Sequence, residues 1–516
     1  MSCTDSPPVV VVGAGPTGIT AATLLAQYGV RSLVLDRYAD TYPQPRAVHL
    51  DDEVFRIIHR LGIAEEFAKI SRPALGLRLL DPTMRVLAEF DRDPARTPHG
   101  YPQANMFDQP ELEALLRTNL ARHPLATLRG NVEVTDVVAL SDGRTRITYT
   151  DRANGHEQAI ETDYVLGCDG ANSLVRARIG STMRDLRFEQ RWLVVDVATT
   201  ADLGQWSGVH QLCDPRRAGT FMQIGDERYR WEFQLRPDEI AGDFGTVEAL
   251  APLLAPWTSR AAIAELNLIR VAEYTFRAQL ADRWRCANIF LLGDAAHLTP
   301  PFVGQGMGAG LRDGMNLAWK LAGVIKGTLD PGALETYEQE RKPHARKMIG
   351  LALTVGRAMT SGGEIGNMLR RTIVPQIHRL PGLRERVTDS RTPPLHRSAL
   401  VHRSHRRNQL GGTLCPNAVD SAGVRLDDLL GNGFAIVTTQ NPTAADRLVT
   451  ERYGATVHVA GPGDELANWL RNGRAGAAII RPDRTVLHCG RDAGELTALL
   501  GRYLVAVDEN QGSSVQ

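Results

Sequence analysis

Val9-Val-Val-Val12-Gly13-Ala-Gly15-Pro16-Thr17-Gly18 is the stretch from which the fold of this chain is read. Four β-branched apolar residues predict a strand buried on both faces, and the glycines that follow at once predict its turn into a helix. The helix-compatible run reaches about Tyr28, where Gly29 supplies the stop, and a second apolar run, Ser32–Leu35, ends in Asp36. Strand, glycine-rich turn, helix, strand and acid are the parts of a dinucleotide-binding unit. Gly13 permits the tight turn, Gly15 lets backbone N–H groups approach a pyrophosphate, and Gly18 lets the helix pack on the strand. Pro16 and Thr17 open that helix toward the phosphates, and Asp36, followed by Arg37, can accept from ribose hydroxyls. A plain glycine-rich turn in an ordinary βαβ unit is disfavoured, because strand, helix and ribose acid are all in place. The motif alone does not separate FAD from NAD.

Outward from there, Asp51 reads as the N-cap of a helix carrying Val54, Phe55, Ile58 and Leu61 at helical spacing. A further helix starts near Asp108, with Pro110 in its first turn, and a strand over 164–167 runs into Cys168-Asp169-Gly170. From about 191 to 278 the texture changes to runs spaced like antiparallel strands, over 192–197, 209–212, 220–224 and 229–235. An apolar strand over 288–292 then meets Gly293-Asp294, and a helix follows over about 307–325.

The expected fold class is therefore α/β, a Rossmann-like unit with a β-rich unit inserted into it. Residues 1–75, 100–182 and 285–380 form the discontinuous nucleotide-binding part, and 76–99 with 183–284 the inserted sheet. Residues 381–412, rich in Arg, Pro, Ser and His, read as a linker, and 413–516 as a third, small α/β unit.

With 59 basic and 59 acidic side chains in 516 residues, the formal charge is zero, which argues against a general grip on nucleic acid or an anionic membrane. The six cysteines, from Cys3 to Cys489, form no C-x-x-C pair. That excludes a zinc ribbon and a thioredoxin-type redox pair, leaves no metal site expected, and fits a reducing cytoplasm. No apolar run approaches the ~20 residues that span a bilayer, and no signal peptide is expected.

Two later segments decide the cofactor. Cys168-Asp169-Gly170-Ala-Asn-Ser173-Leu-Val-Arg176 is similar to a D-G-x-x-S-x-x-R element, and Gly293-Asp294-Ala-Ala-His297, with Pro300 after it, to a G-D motif. With the first motif, in this order, they make the chain resemble the FAD-dependent aromatic hydroxylases, the single-component flavoprotein monooxygenases. The resemblance covers residues 9 to about 350 well and the last hundred more loosely. It implies that Asp169 touches FAD, that Asp294 holds the ribityl chain, and that Arg46, in Pro45-Arg46-Ala47, meets the phosphates. Gln109 would lie near the ribityl chain, and Pro300, Gly304, Gly306, Met307 and Gly308 under the ring. An Asp closing a buried strand is fixed in orientation, and the positive end of the following helix would stabilise negative charge on a reduced ring. The family usually carries Asn where this chain has Gly308, so one ring contact or helix cap is missing. Arg117 is equally an exposed helix residue. The last unit resembles a thioredoxin-type domain, Arg481-Pro-Asp483 included; lacking C-x-x-C, it is left with packing or homodimerisation as its role.

A single dinucleotide fingerprint fits bound FAD with NAD(P)H as a transient visitor. The implied reaction is hydroxylation of a phenolic or other aromatic substrate by O2 through a flavin C4a-hydroperoxide, in a pocket that excludes water. That pocket is expected between the inserted sheet and the flavin, lined by His49, His210, Gln211, Met222, Gln223, Trp231, Phe233 and Pro301, although each also suits ordinary sheet packing. His210 and His49 are candidate bases for the phenolic proton, while His297 is equally structural. Arg216, Arg217 and Arg230 are equally arguable partners for a substrate carboxylate. Epoxidation, Baeyer–Villiger or antibiotic-modifying oxygenation on the same fold, and a non-redox flavin protein, are the alternatives.

Overall fold

A computed structural model describes residues 6–42, 46–92, 99–258, 263–360, 392–403, 410–420 and 422–506. Cys3, Pro45, part of the segment 76–99, residues 361–380 at the end of the expected nucleotide-binding part, and 381–391 and 404–409 of the expected linker lie outside the described residues.

Strand Val9–Val12 is buried throughout, in a six-stranded sheet ordered Arg285–Cys286, Ile289–Leu291, Tyr164–Gly167, Val9–Val12, Ser32–Leu35, Ala126–Arg129. All neighbours run parallel except the first pair. Val12 pairs with Gly167, and Gly167 with Leu291. Three segments distant in sequence thus end side by side, and the turns beginning at Gly13, Cys168 and Gly293 share one edge of the sheet. Ligands of open parallel sheets bind at that carboxyl edge. Helix Pro16–Gln27 packs against helix Gly306–Ile325, and both contribute to the core around the sheet. Asp51 caps helix Asp52–Arg60 by accepting from the Val54 N–H at 2.8 Å, as its sequence position predicts.

The inserted sheet has eight strands, in the order His297–Leu298, Asn267–Ala281, Met183–Ala198, Arg228–Gln234, Gly219–Gln223, Val209–Leu212, Gly76–Leu80, Val86–Asp91. One pair, Val209–Leu212 with Gly76–Leu80, is parallel, because the chain between them passes through the nucleotide-binding part rather than a hairpin. Strand alternation divides the side chains between two faces. Leu193, Val195, Val197, Phe221, Trp231 and Phe233 pack outward under Leu250, Leu254 and Trp257. Trp192, Asp196 and Arg230 fall on the other face; Trp192 meets Phe302 with ring centres 6.1 Å apart, and Arg230 reaches the carbonyl of Arg46.

The last unit is a four-stranded sheet ordered Thr456–Val459, Ala435–Thr438, Ala477–Ile480, Val486–Gly490, with the first pair parallel and the others antiparallel. The described part of the expected linker is packed on this unit: His402 N–H donates to Leu487, Gly412 N–H to Val486, and Leu400 is buried in its core.

Candidate active site

At the first turn, Gly13 has φ of 106°, where a side chain is strained, and a β-carbon there would strike the carbonyl of Cys168. A β-carbon on Gly18 would strike the carbonyl of Gly13. At Gly15 it would meet no heavy atom within 4 Å. Gly13 and Gly18 therefore serve the packing of the protein, whereas Gly15 leaves open ground beside helix Pro16–Gln27, whose N-terminus no side chain caps. Asp36 accepts from Ala14 N–H at 2.5 Å and from Tyr38 N–H at 2.8 Å. A carboxylate has four lone-pair sites, so acceptor capacity for a ribose remains. Arg37 and Arg46 are exposed at this edge.

The second turn is a clasp. Asp169 accepts from Ser173 Oγ at 2.5 Å and from Val175 N–H at 3.1 Å, capping helix Leu174–Arg178. Arg176 then donates to the carbonyls of Ala171 (2.8 Å) and Ala295 (3.0 Å), tying this turn to the third. Both Asp169 oxygens are thus engaged within the protein.

In the third turn, Asp294 is half-buried and receives no hydrogen bond among the described residues. Burial pushes its carboxyl up, against the pull of His297 and Arg46. The turn itself is held by Asp313, which accepts from Gly293 N–H (3.0 Å), His297 Nε2 (2.8 Å) and Arg341 Nε (2.8 Å). His297 is therefore part of the scaffold. Asp313 was missed by motif reading; its signal was an Arg312-Asp313 pair inside a mostly apolar helix, where charge survives only if paired. Thr17 is wedged between Gly293 and Gly310, so the first and third turns meet there.

Beyond buried Pro300, the short turn Pro301–Val303 ends in Gly304 at φ 62°, where a β-carbon would lie 2.5 Å from His49 Nδ1. Helix Gly306–Ile325 begins without a side-chain cap, and a β-carbon on Gly306 would find its nearest neighbour, the Thr299 carbonyl, at 3.9 Å. Its first-turn N–H groups thus point into open ground. Met307 is partly buried against the main core. Gly308 leaves no room for the family Asn: a β-carbon would lie 2.8 Å from Val54 and 3.0 Å from Arg312. His49 Nδ1 is buried without a partner, and burial first, Arg92 second, pull the imidazole down to about 4. Gln109 Oε1 accepts from Arg46 N–H (2.9 Å) and Ala47 N–H (2.6 Å), so this side chain positions the loop that carries Arg46. Arg117 reaches back to the carbonyl of Ala39 at 3.3 Å.

The inserted sheet corrects the expected pocket lining. Trp231 and Phe233 lie in the outward core, and Gln223 donates to Asp226 in its own hairpin. His210 stacks edge-on with Phe221 and Trp257 on that outward side and meets the Trp206 carbonyl at 3.1 Å. The reason is parity: residues at odd positions of strand Arg228–Gln234 face away from the turns, and those at even positions face them. Met222 is on the inward side with Val48, Ala104 and Met106, and Pro301 opens the short turn Pro301–Val303. Gln211 is spent on the Gly219 carbonyl and on Thr220. Arg230 forms a bidentate pair with Asp196 (2.7 and 2.9 Å), which takes it out of the contest for a substrate carboxylate, while Arg217 pairs with Glu239 and Arg216 with Asp214.

An open approach at Gly15, an acceptor without a donor at Asp294 and an uncapped helix start at Gly306 converge on one edge. These fit the pyrophosphate, ribityl chain and ring of FAD. Among the described residues no group of His, Cys, Asp or Glu could hold a metal ion, and no helix is long and apolar enough to cross a membrane.

Comparison with known proteins agrees. The model of the FAD binding domain family matches residues 6–352. The 3-(3-hydroxy-phenyl)propionate/3-hydroxycinnamic acid hydroxylase 2 of Burkholderia vietnamiensis (strain G4 / LMG 22486) is 34% identical over 93% of this chain and 92% of the relative. A probable NADH-specific resorcinol 4-hydroxylase of Rhodococcus jostii (strain RHA1) is 30% identical over 97% and 95%. Among solved structures, aklavinone-11 hydroxylase in complex with FAD and aklavinone superposes with a TM-score of 0.79 at 24% identity, over 96% of this chain and 98% of that one. At that identity the likeness speaks for the fold.

Proposed function

Since the chain belongs to the FAD binding domain family and is a flavin-dependent aromatic hydroxylase using FAD and NAD(P)H, we propose that its substrate is a phenol with a second substituent meta to the hydroxyl. That pattern is common to the names of both relatives, one acting on 3-hydroxyphenyl acids and one on resorcinol. The observation that carries the reading is an FAD-shaped edge facing a sheet whose inward side mixes apolar walls with one polar cluster.

In this reading Gly15, Pro16, Thr17, Asp36, Arg37 and Arg46 hold the nucleotide half of FAD, and Gly13 and Gly18 act on it through the turn they pack. Asp294 takes the ribityl chain, with Gly293 setting the turn, and Pro300, Gly304, Gly306, Met307 and Gly308 lie under the ring. Asp169 and Gln109 act on FAD through the turns they fix. The bound flavin supplies electron transfer from NAD(P)H and activation of O2. The protein contributes orientation and dryness: Val48, Met106, Met222, Trp192 and Phe302 wall the substrate side with apolar surface that excludes water. His49, neutral above pH ~5 because burial holds it near 4, offers a fixed polar edge beside Gly304. NADH is the proposed donor, on the name of the resorcinol relative. The last unit is read as a thioredoxin-like module that packs or dimerises, and a cytoplasmic setting is proposed because the six cysteines form no C-x-x-C pair. Epoxidation, Baeyer–Villiger insertion and a non-redox role are not favoured, the relatives being named hydroxylases.

The test is anaerobic reduction of the FAD-loaded protein by NADH and NADPH across a panel of meta-substituted phenols. The proposal expects one or a few of them to accelerate reduction strongly. Acceleration only by ortho- or para-substituted phenols, or none at all, would remove it.

A further inference from the structure

On strand Arg228–Gln234, Glu232 falls on the inward face, opposite to Trp231 and Phe233. Its neighbours across the sheet are Val194 and Thr220, and it is only 9% exposed. The polar groups around it are committed elsewhere. Arg230 Nε and Nη2 donate to Asp196 at 2.7 and 2.9 Å, and its Nη1 donates to the Arg46 carbonyl at 3.2 Å while standing 4.0 Å from Glu232 Oε1. Arg270 Nε lies 3.3 Å from Asp196 and Arg270 Nη1 donates to Tyr274 Oη at 3.1 Å. The Thr220 hydroxyl is turned to Gln211 at 3.0 Å. Among the described residues, no donor reaches the Glu232 carboxyl within hydrogen-bond distance. The side chain keeps 12% of its surface exposed, so the carboxyl still opens to a partner from outside the protein, and on this face a substrate hydroxyl is the natural donor.

We propose that Glu232 is the base that accepts the phenolic proton of the substrate, an assignment that rests on the phenol-hydroxylase reading above. In the step, the phenol O–H bond breaks, the proton passes to a Glu232 carboxylate oxygen, and the electron pair stays on the substrate oxygen. The phenolate then feeds electron density into the ring positions ortho and para to it, which is what an electrophilic oxygen requires. The proton returns when the product phenol re-forms, so no oxidant or reductant is consumed by the step itself.

The charged groups facing Glu232 are Arg230 on its own strand, Asp196 on Met183–Ala198 and Arg270 on Asn267–Ala281; the strand Gly219–Gln223 adds only neutral Thr220. Burial raises the carboxyl first, Asp196 adds to this, and the two arginines only partly offset it. A carboxyl held above its ordinary range is better matched to a phenol than a free one. The two histidines compete poorly: His210 is on the outward side, and burial and Arg92 hold His49 near 4.

The experiment compares wild type with Glu232→Gln on resorcinol or 3-(3-hydroxyphenyl)propionate, whichever the wild type hydroxylates, and on ring-fluorinated analogues of rising phenol acidity. FAD content checks that the variant is folded, and Glu232→Asp, which keeps a carboxyl, serves as the conservative control. With the ordinary phenol, kcat/KM of Glu232→Gln should fall about 100- to 10,000-fold, the usual share of a general base. The loss should shrink toward none as the analogue becomes phenolate in solution, and the acidic limb of the wild-type pH profile should vanish in Gln and persist in Asp. An equal loss on every analogue, or an unchanged acidic limb, would overturn the assignment while leaving the hydroxylase reading intact. A wild type that hydroxylates no phenol overturns both.

Discussion

Asp294 and Asp169 show how two acids in similar turns come to different work. Asp169 has spent both oxygens on Ser173 and Val175, so its removal unties a helix cap. Asp294 has a carboxylate to which no described residue donates, set in orientation by Asp313 beneath its turn. Charged hydrogen bonds of this kind are worth about 1.5–3 kcal/mol. Asp294→Ala should therefore keep the fold and lose about tenfold to a hundredfold in FAD affinity, measured by fluorescence titration of the apoprotein. An Asp294→Ala protein that binds FAD as tightly as wild type would remove the ribityl assignment. Motif reading reached Asp294 because its spacing is local. It could not reach Asp313, whose role exists only because the Gly293–His297 turn and Arg341 come to it from separate segments.

Among elements, the glycine-rich turn separates fold from function. Gly18 is closed by the Gly13 carbonyl and Gly15 faces open ground, although the two look alike in sequence. Gly18→Ala should lower Tm or abolish soluble expression. Gly15→Ala should leave the apoprotein's Tm within about a degree or two, because surface changes free of such clashes stay near ±0.5 kcal/mol. It should nonetheless retain less FAD, because the new methyl stands where the pyrophosphate approaches. Equal Tm losses in both would contradict this division. The strands of the inserted sheet were also legible from their alternating runs, but their facing was not. Alternation says that Trp231 and Glu232 point apart, never which of them points inward. The apolar pair looked like a pocket wall, yet it was claimed by Leu250 and Leu254, on helix Val247–Leu254, and by Trp257 just beyond that helix. Charged Arg230 and Glu232 were left facing the flavin edge. The missing Asn at Gly308 has a similar explanation, since helix Asp52–Arg60 approaches too closely for any side chain there.

At the scale of the molecule, the last unit is held to the rest by buried ion pairs. Arg481 reaches Glu340 at 3.0 Å, Glu340 also takes Lys320 at 2.8 Å, and Arg56 grips Asp427 at 2.6 Å. Sequence reading met Arg481-Pro-Asp483 as part of a fold resemblance; that Arg481 crosses to another unit needed the structure. Burial alone would raise Glu340, but Arg481 and Lys320 outweigh it and hold the carboxyl at about 2, below its ordinary 4.5. A depressed carboxyl contributes stability above its unfolded pKa and loses it as pH falls through the folded one. Glu340→Gln should therefore cost about 3 kcal/mol near neutrality, with the gap from wild type narrowing between pH 4.5 and 2 in urea titrations. A gap that is constant with pH would mean that the pair carries no such linkage. The proposed end of this architecture is a dry chamber in which reduced flavin meets a phenol. The most direct test of that claim is turnover of the preferred phenol under 18O2 with NADH, reading the product by mass spectrometry. The account predicts one labelled oxygen atom in the ring product for each NADH consumed. Labelled hydrogen peroxide with an unmodified phenol would contradict it.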